Sequence, residues 1–184
     1  MKQLTLLLWG FLIVTLTTGC FGRLIYPSDT YRGKVIDAES KEPLVGAVVL
    51  AIWYREAPGL GHPAEGYHDA LEVLTDAQGE FTVPAKTHVT TFGKIREPQL
   101  VIYYPGYGYY NGFQVRPTDK EVRAAYEQRF FHVELRQWKN REEQIRNVPS
   151  IGVSRVPEAK MPNLSRLVNE ELQTLGLQPI RLGR

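Results

Sequence analysis

Apolar and polar positions fall into short blocks over most of the chain and take a helical period only near its end. Residues 31–38 (YRGKVIDA) form a first β run, and 39–43 a turn. Residues 44–54 (LVGAVVLAIWY) are almost continuously apolar and rich in β-branched and aromatic side chains, which predicts a buried strand. The stretch 55–70 holds Pro58, Gly59, Gly61, Pro63 and Gly66 and reads as a long loop. Residues 71–75 and 80–83 flank Asp76-Ala77-Gln78-Gly79 as a hairpin, with Gly79 free to take the left-handed conformation. After an irregular stretch at 84–99, residues 100–104 (LVIYY) are a strand stopped by Pro105-Gly106, and 110–116 another. Phe131, Val133 and Leu135 alternate with His132 and Glu134 as a half-buried strand should.

Helical signals come late. Thr118 and Glu121 have capping-box spacing for a short helix to about residue 128. Residues 140–147 form a polar helix, with Glu142 and Arg146 four apart. Residues 148–162, with Pro149, Pro157 and Pro162, read as an extended linker. Asn163 is placed to cap a last helix whose Leu164, Leu167, Val168, Leu172 and Leu175 share one face, ended by Gly176. Many short strands followed by a few helices make the chain mainly β, a sandwich or barrel with short C-terminal helices.

The N-terminus has a different design. Lys2, an apolar core over residues 4–16, then Thr17, Thr18, Gly19 and Cys20 have the layout of an export signal, too short for a membrane span. Small residues ending in Gly-Cys resemble the bacterial lipoprotein signal. That resemblance implies cleavage after Gly19 and lipid on Cys20, with residues 20–30 as a tether. Phe21, where an Asp would signal inner-membrane retention in enteric bacteria, favours an outer-membrane protein facing the periplasm if the cell is Gram-negative.

Composition narrows the reading further. The chain has 184 residues, 43% of them hydrophobic, which is ordinary globular content. A net charge of +2 argues against a dedicated nucleic-acid binder, which needs a basic face. A single cysteine excludes an internal disulfide and a multi-cysteine metal site.

Three segments carry a further likeness. Gly33-Lys34-Val35-Ile36-Asp37, Pro43-Leu44-Val45-Gly46-Ala47-Val48-Val49 and Thr75-Asp76-Ala77-Gln78-Gly79-Glu80-Phe81 resemble, in order, the carboxypeptidase regulatory-like domain. Pro105-Gly106-Tyr107 resembles its later aromatic-glycine element. The resemblance covers residues 31–136 and leaves 137–184 as a helical extension. It implies a seven-stranded, transthyretin-like (Ig-like) β-sandwich and does not imply peptidase activity, which in the true carboxypeptidases belongs to a separate zinc domain. The Tyr-Arg-Gly-Ser ending of the transthyretin-fold hydroxyisourate hydrolases has no counterpart in Arg181-Leu182-Gly183-Arg184.

Two constellations remain as candidate chemistry. His62, Glu65 and His68 offer imidazole and carboxylate ligands for a weak metal site, and with it a metal-dependent hydrolase as the alternative function. Tyr107, Tyr109 and Tyr110 on a glycine-rich segment offer an amphipathic face for a glycan or a partner protein. The expectation is therefore a non-catalytic, membrane-anchored envelope lipoprotein without a cofactor, its sandwich acting as a structural or binding module.

Overall fold

A computed structural model describes residues 25–59, 63–111, 124, 127–148, 151 and 153–183. Cys20, His62, the 118–121 capping box and the residues beyond Asn111 in the 110–116 run lie outside them. The chain is mainly β. Strands β1 (Ile25–Ser28), β2 (Tyr31–Asp37), β3 (Val48–Ala57), β4 (Ala64–Leu74), β5 (Glu80–Val83), β6 (Lys86–Val89), β7 (Lys94–Ile95), β8 (Gln99–Tyr103), β9 (Tyr110–Asn111) and β10 (Phe130–Leu135) precede helices α1 (Arg141–Asn147) and α2 (Pro162–Thr174). A 3-10 turn, Glu158–Lys160, lies between the helices. Among the described residues no helix is long and apolar enough to cross a membrane.

Three sheets form. One has the order β10-β2-β5, a second β4-β3-β8-β9 with β7 on the far end of β3, and a ribbon pairs β1 with β6. β10 runs parallel to β2 in the register Phe131↔Gly33, and the other pairings are antiparallel. Gly33 permits the close approach, since a Cβ there would sit 2.4 Å from the Phe131 carbonyl and 2.6 Å from the Phe81 ring.

The first seven residues of β3 are all buried, and both faces of its sheet are covered. Val49, Ala51 and Trp53, with Leu100 and Ile102 of β8, pack against Tyr31, Val35, Phe81, Val83, Phe131, Val133 and Leu135 of the three-stranded sheet. Val48, Leu50, Ile52 and Tyr54, with Val101 and Tyr103, pack on the other side against Val148, Ile151, Val153, Val156, Met161, Leu164, Val168 and Leu172. An unbroken apolar run is what a strand buried on both faces requires. The segment read as a 148–162 linker is thus a buried layer, because its valines, isoleucine and methionine recur between the prolines.

Other expectations change for local reasons. The 55–70 loop is mostly strand: β3 runs on to Ala57 and β4 begins at Ala64, with Glu56 opposite Glu65. Pro58, Gly59 and Pro63 lie just outside the two strands, whereas Gly66 is within β4, opposite Arg55. The hairpin expected across 76–79 does not pair, because β4 joins β3 while β5 joins β2, so the turn carries the chain between sheets. Asp76 Oδ1 accepts from the Gln78 and Glu80 backbones at 2.9 and 2.8 Å, and Gly79 takes a φ of +72°. Thr75 Oγ1 accepts from Ala47 N at 2.8 Å and donates to the Leu44 carbonyl at 2.6 Å, locking the start of β3. Part of the tether is strand β1, and the irregular 84–99 stretch holds β6 and β7.

The helices are held by carboxylates. Asn140 caps α1 by accepting from Glu143 N at 2.8 Å, and Glu143 pairs with Arg136 at 2.6 Å. α2 starts one residue before the expected cap, and Asn163 does not cap it. Glu72 of β4 accepts instead from Asn163 N at 2.9 Å and Leu164 N at 2.7 Å, placing a negative charge at the helix N-terminus.

Candidate functional site

The residues around His68 gather at a β-bulge. Trp53 lies opposite Asp69 and Tyr54 opposite Tyr67, so His68 is the extra residue in β4. Its ring meets that of His88 on β6 edge-on, centroids 5.3 Å apart, and His88 in turn lies 4.8 Å from the Trp53 indole. Burial pushes both imidazoles below their ordinary pKa, His88 further disfavoured by His68 and Lys86. Asp69 receives the Lys86 ammonium from β6 and the Lys160 ammonium, at 2.9 Å, from the 3-10 turn. Burial alone would raise its carboxyl, but these two hydrogen bonds outweigh it and hold the pKa at about 2. The arrangement is a clasp: through one carboxylate it fastens both the β1–β6 ribbon and the C-terminal layer to β4.

Glu65 stands apart from this clasp, on the exposed ladder opposite Glu56, three strand residues and roughly 10 Å from His68. His62 lies outside the described residues. Among the described residues, no three histidine, cysteine or acidic side chains are grouped to hold a metal.

The tyrosines are divided between two layers. Tyr107 and Tyr110 pack against the cluster between the sheets, and Tyr109 against the cluster under α2. The Tyr107 ring meets Tyr104 edge-on at 5.4 Å, and its hydroxyl hydrogen-bonds Asp37, which pushes the phenol up to about 12. Asp37 also accepts from Glu39 N and Ser40 N, both at 2.7 Å; the Ser40 bond leads, and together these bonds hold its carboxyl at about 2. Tyr107 therefore helps close the β2–β3 turn. Next to it, Gly106 N donates to Glu171 Oε1 at 3.0 Å, and Tyr103 donates to the other oxygen of the same carboxylate.

A surface not singled out from the sequence is more open. Phe130, Arg32 and Thr82 form one exposed row across β10, β2 and β5. With Leu74, Asp76 and Glu80 they line a hollow of about 320 Å³ on the outer face of the three-stranded sheet. Leu74 and Phe130 are exposed large apolar side chains. Strand parity could have found this face: with Phe131, Val133 and Leu135 inward, Phe130 must point out.

Comparison with family models gives no match, and comparison with curated proteins gives none. Among solved structures, a 9R-lipoxygenase from Cyanothece PCC8801 is similar over 80% of this chain and 22% of its own, at 15% identity and a TM-score of 0.29. This chain spans about a fifth of that protein's length, and a likeness of that size carries no argument about fold or activity.

Proposed function

We propose that this protein is a non-catalytic envelope lipoprotein, anchored through lipid on Cys20, that presents a β-sandwich to a partner protein. Its kernel is a carboxypeptidase regulatory-like domain of transthyretin type. The seven strands are β10, β2 and β5 on one side and β4, β3, β8 and β9 on the other, with β1, β6 and β7 as additions. The observation that carries this reading is the use to which the motif residues are put. Gly33 lets two strands meet, Thr75 and Asp76 tie turns, Gly79 turns the chain between sheets and Phe81 fills the core. These are scaffold roles, so binding falls to the surface. The hollow around Phe130 and Arg32 supports a protein ligand, because aromatic and arginine side chains are enriched at protein interfaces.

Two measurements test the reading. Cys20→Ala is expected to move the protein out of the membrane fraction; retention there would defeat the anchor. A photo-cross-linker at position 130, in cells, is expected to capture an envelope protein that Arg32→Glu releases. Capture unaffected by Arg32→Glu would defeat the binding face.

A further inference from the structure

The β1–β6 ribbon carries an apolar outer face where the chain emerges from the anchor. Tyr26 and His88 face each other across the ribbon and turn inward, His88 with only 3% of its surface exposed. Their neighbours Ile25 and Val89, also paired, are 56% and 65% exposed. Directly paired residues of an antiparallel ladder put their side chains on one face, with Cα atoms about 5 Å apart. Phe92, 58% exposed, extends the patch from the turn that follows β6. That turn is held to the ribbon by Tyr26, whose hydroxyl donates to the Gly93 carbonyl at 3.0 Å.

Three large apolar side chains in water at one edge need an occupant. The chain's own length selects it. Only residues 21–24 separate Cys20 from Ile25, so Ile25 lies within about 17 Å of the lipid-bearing residue even if they are fully extended. The local charge agrees: Lys86 is taken up by Asp69, but Lys94 lies opposite Glu56, whose carboxylate pairs with Arg96. Lys94 is exposed two residues past Phe92, where a lipid phosphate would meet it.

We infer that Ile25, Val89 and Phe92 seat the domain on a phospholipid bilayer, at the headgroup–acyl boundary, with Lys94 against anionic headgroups. This rests on the lipoprotein reading and adds an orientation to it: the ribbon end of the molecule faces the membrane. Val45 supplies an internal contrast. It is 50% exposed and apolar too, but lies at the Val48 end of β3, whereas Gly93 lies against Glu56. The two ends of β3 are roughly 25 Å apart.

The test uses the full chain, expressed in bacteria and processed. With Cys20 acylated, Phe92→Cys or Val45→Cys introduces the only free thiol. Each variant is labelled with nitrobenzoxadiazole and reconstituted into phosphatidylethanolamine–phosphatidylglycerol vesicles, with and without nitroxide-labelled acyl chains. At position 92 the dye is expected to be blue-shifted and to lose about half its emission to the nitroxide, while position 45 is unchanged, as an interfacial depth requires. Val89→Cys is a second site should Phe92→Cys fold poorly. Intact mass reports on the anchor separately, and a Cys20 without lipid overturns both readings. Acylated protein with no quenching at 92 overturns the seating alone, as does a blue shift without quenching, which would mark contact with a second copy.

Discussion

Removing the Glu171 carboxylate should destabilise the C-terminal layer more than any comparable surface change. Glu171 is only 6% exposed and has three donors: the Tyr103 hydroxyl of β8, Gly106 N of the following turn and the Gln144 amide of α1. One side chain on α2 thereby ties three other segments to the helix. Burial, then the bond to Glu171, pushes the Tyr103 phenol far above its ordinary range, so the tyrosine remains the donor and the carboxylate the acceptor. A hydrogen bond to a charged group is worth about 1.5–3 kcal/mol, and an orphaned buried donor costs about 1–3 more. Relief of the carboxylate's own desolvation offsets part of that, leaving about 3–5 kcal/mol for Glu171→Ala. At about 2–4 °C per kcal/mol for a domain of this size, Tm should fall by roughly 6–20 °C. Glu171→Gln keeps one acceptor for the Gly106 and Gln144 donors and should lose only about 1–2 kcal/mol. The assay is urea unfolding followed by tryptophan emission, to which Trp53, fully buried in the sheet core, contributes. Combining Glu171→Gln with Tyr103→Phe should give a coupling energy of at least about 1 kcal/mol. A Glu171→Ala protein within about 1 kcal/mol of the parent would refute the reasoning, since that is the scale of a neutral surface hydrogen bond.

Further outcomes follow from the same contacts. Glu72→Ala should cost about 1–2 kcal/mol through the lost α2 cap, read as a lower urea midpoint, with Glu72→Gln less harmful; equal losses would show that the carboxylate's charge plays no part at the cap. His68 and His88 bind protons less readily folded than unfolded, so stability should be full above their ordinary value of 6.5 and decline as pH falls through it. Asp37 and Asp69, held at about 2, add stability that is present above 3.8 and lost as pH falls towards 2. A urea midpoint that stays level or rises between pH 7 and pH 5 would contradict the histidine assignment, and His88→Leu should flatten that limb. Metal analysis of the purified chain should find no stoichiometric zinc, because His68 packs on His88 and Glu65 lies along the strand away from it; zinc lost on His68→Ala would reverse that conclusion.

What the sequence made legible was whatever local burial dictates. The apolar run of β3, the alternation of β10 and the single face of α2 each announce an element whose partners are interchangeable apolar surfaces. β1 and β6 did not show, because IYPS has no buried residue and KTHV only one. β4 was hidden by Gly66 and by the bulge at His68, which breaks the two-residue period where the strand would otherwise be read. The Asp69 clasp and the Glu72 cap were beyond reach for another reason: Asp69 and Lys160 are 91 positions apart, as are Glu72 and Asn163. Polar pairs of that separation are set by topology and leave no periodic trace. The hollow around Phe130 lay between these cases, readable by parity once β10 was placed.

The double coverage of β3 has a consequence in time. Its outer face is closed by side chains that enter the chain about a hundred residues later, from Val148 to Leu172. At a synthesis rate of about 5–20 residues per second, the VVLAIWY segment waits roughly 5–20 s for its cover. Throughout that interval it is a seven-residue window of high β propensity without a charge or a proline, the type most prone to pair with its like. Truncation before residue 160 should therefore leave that window uncovered and turn the protein from a folding problem into an aggregation problem.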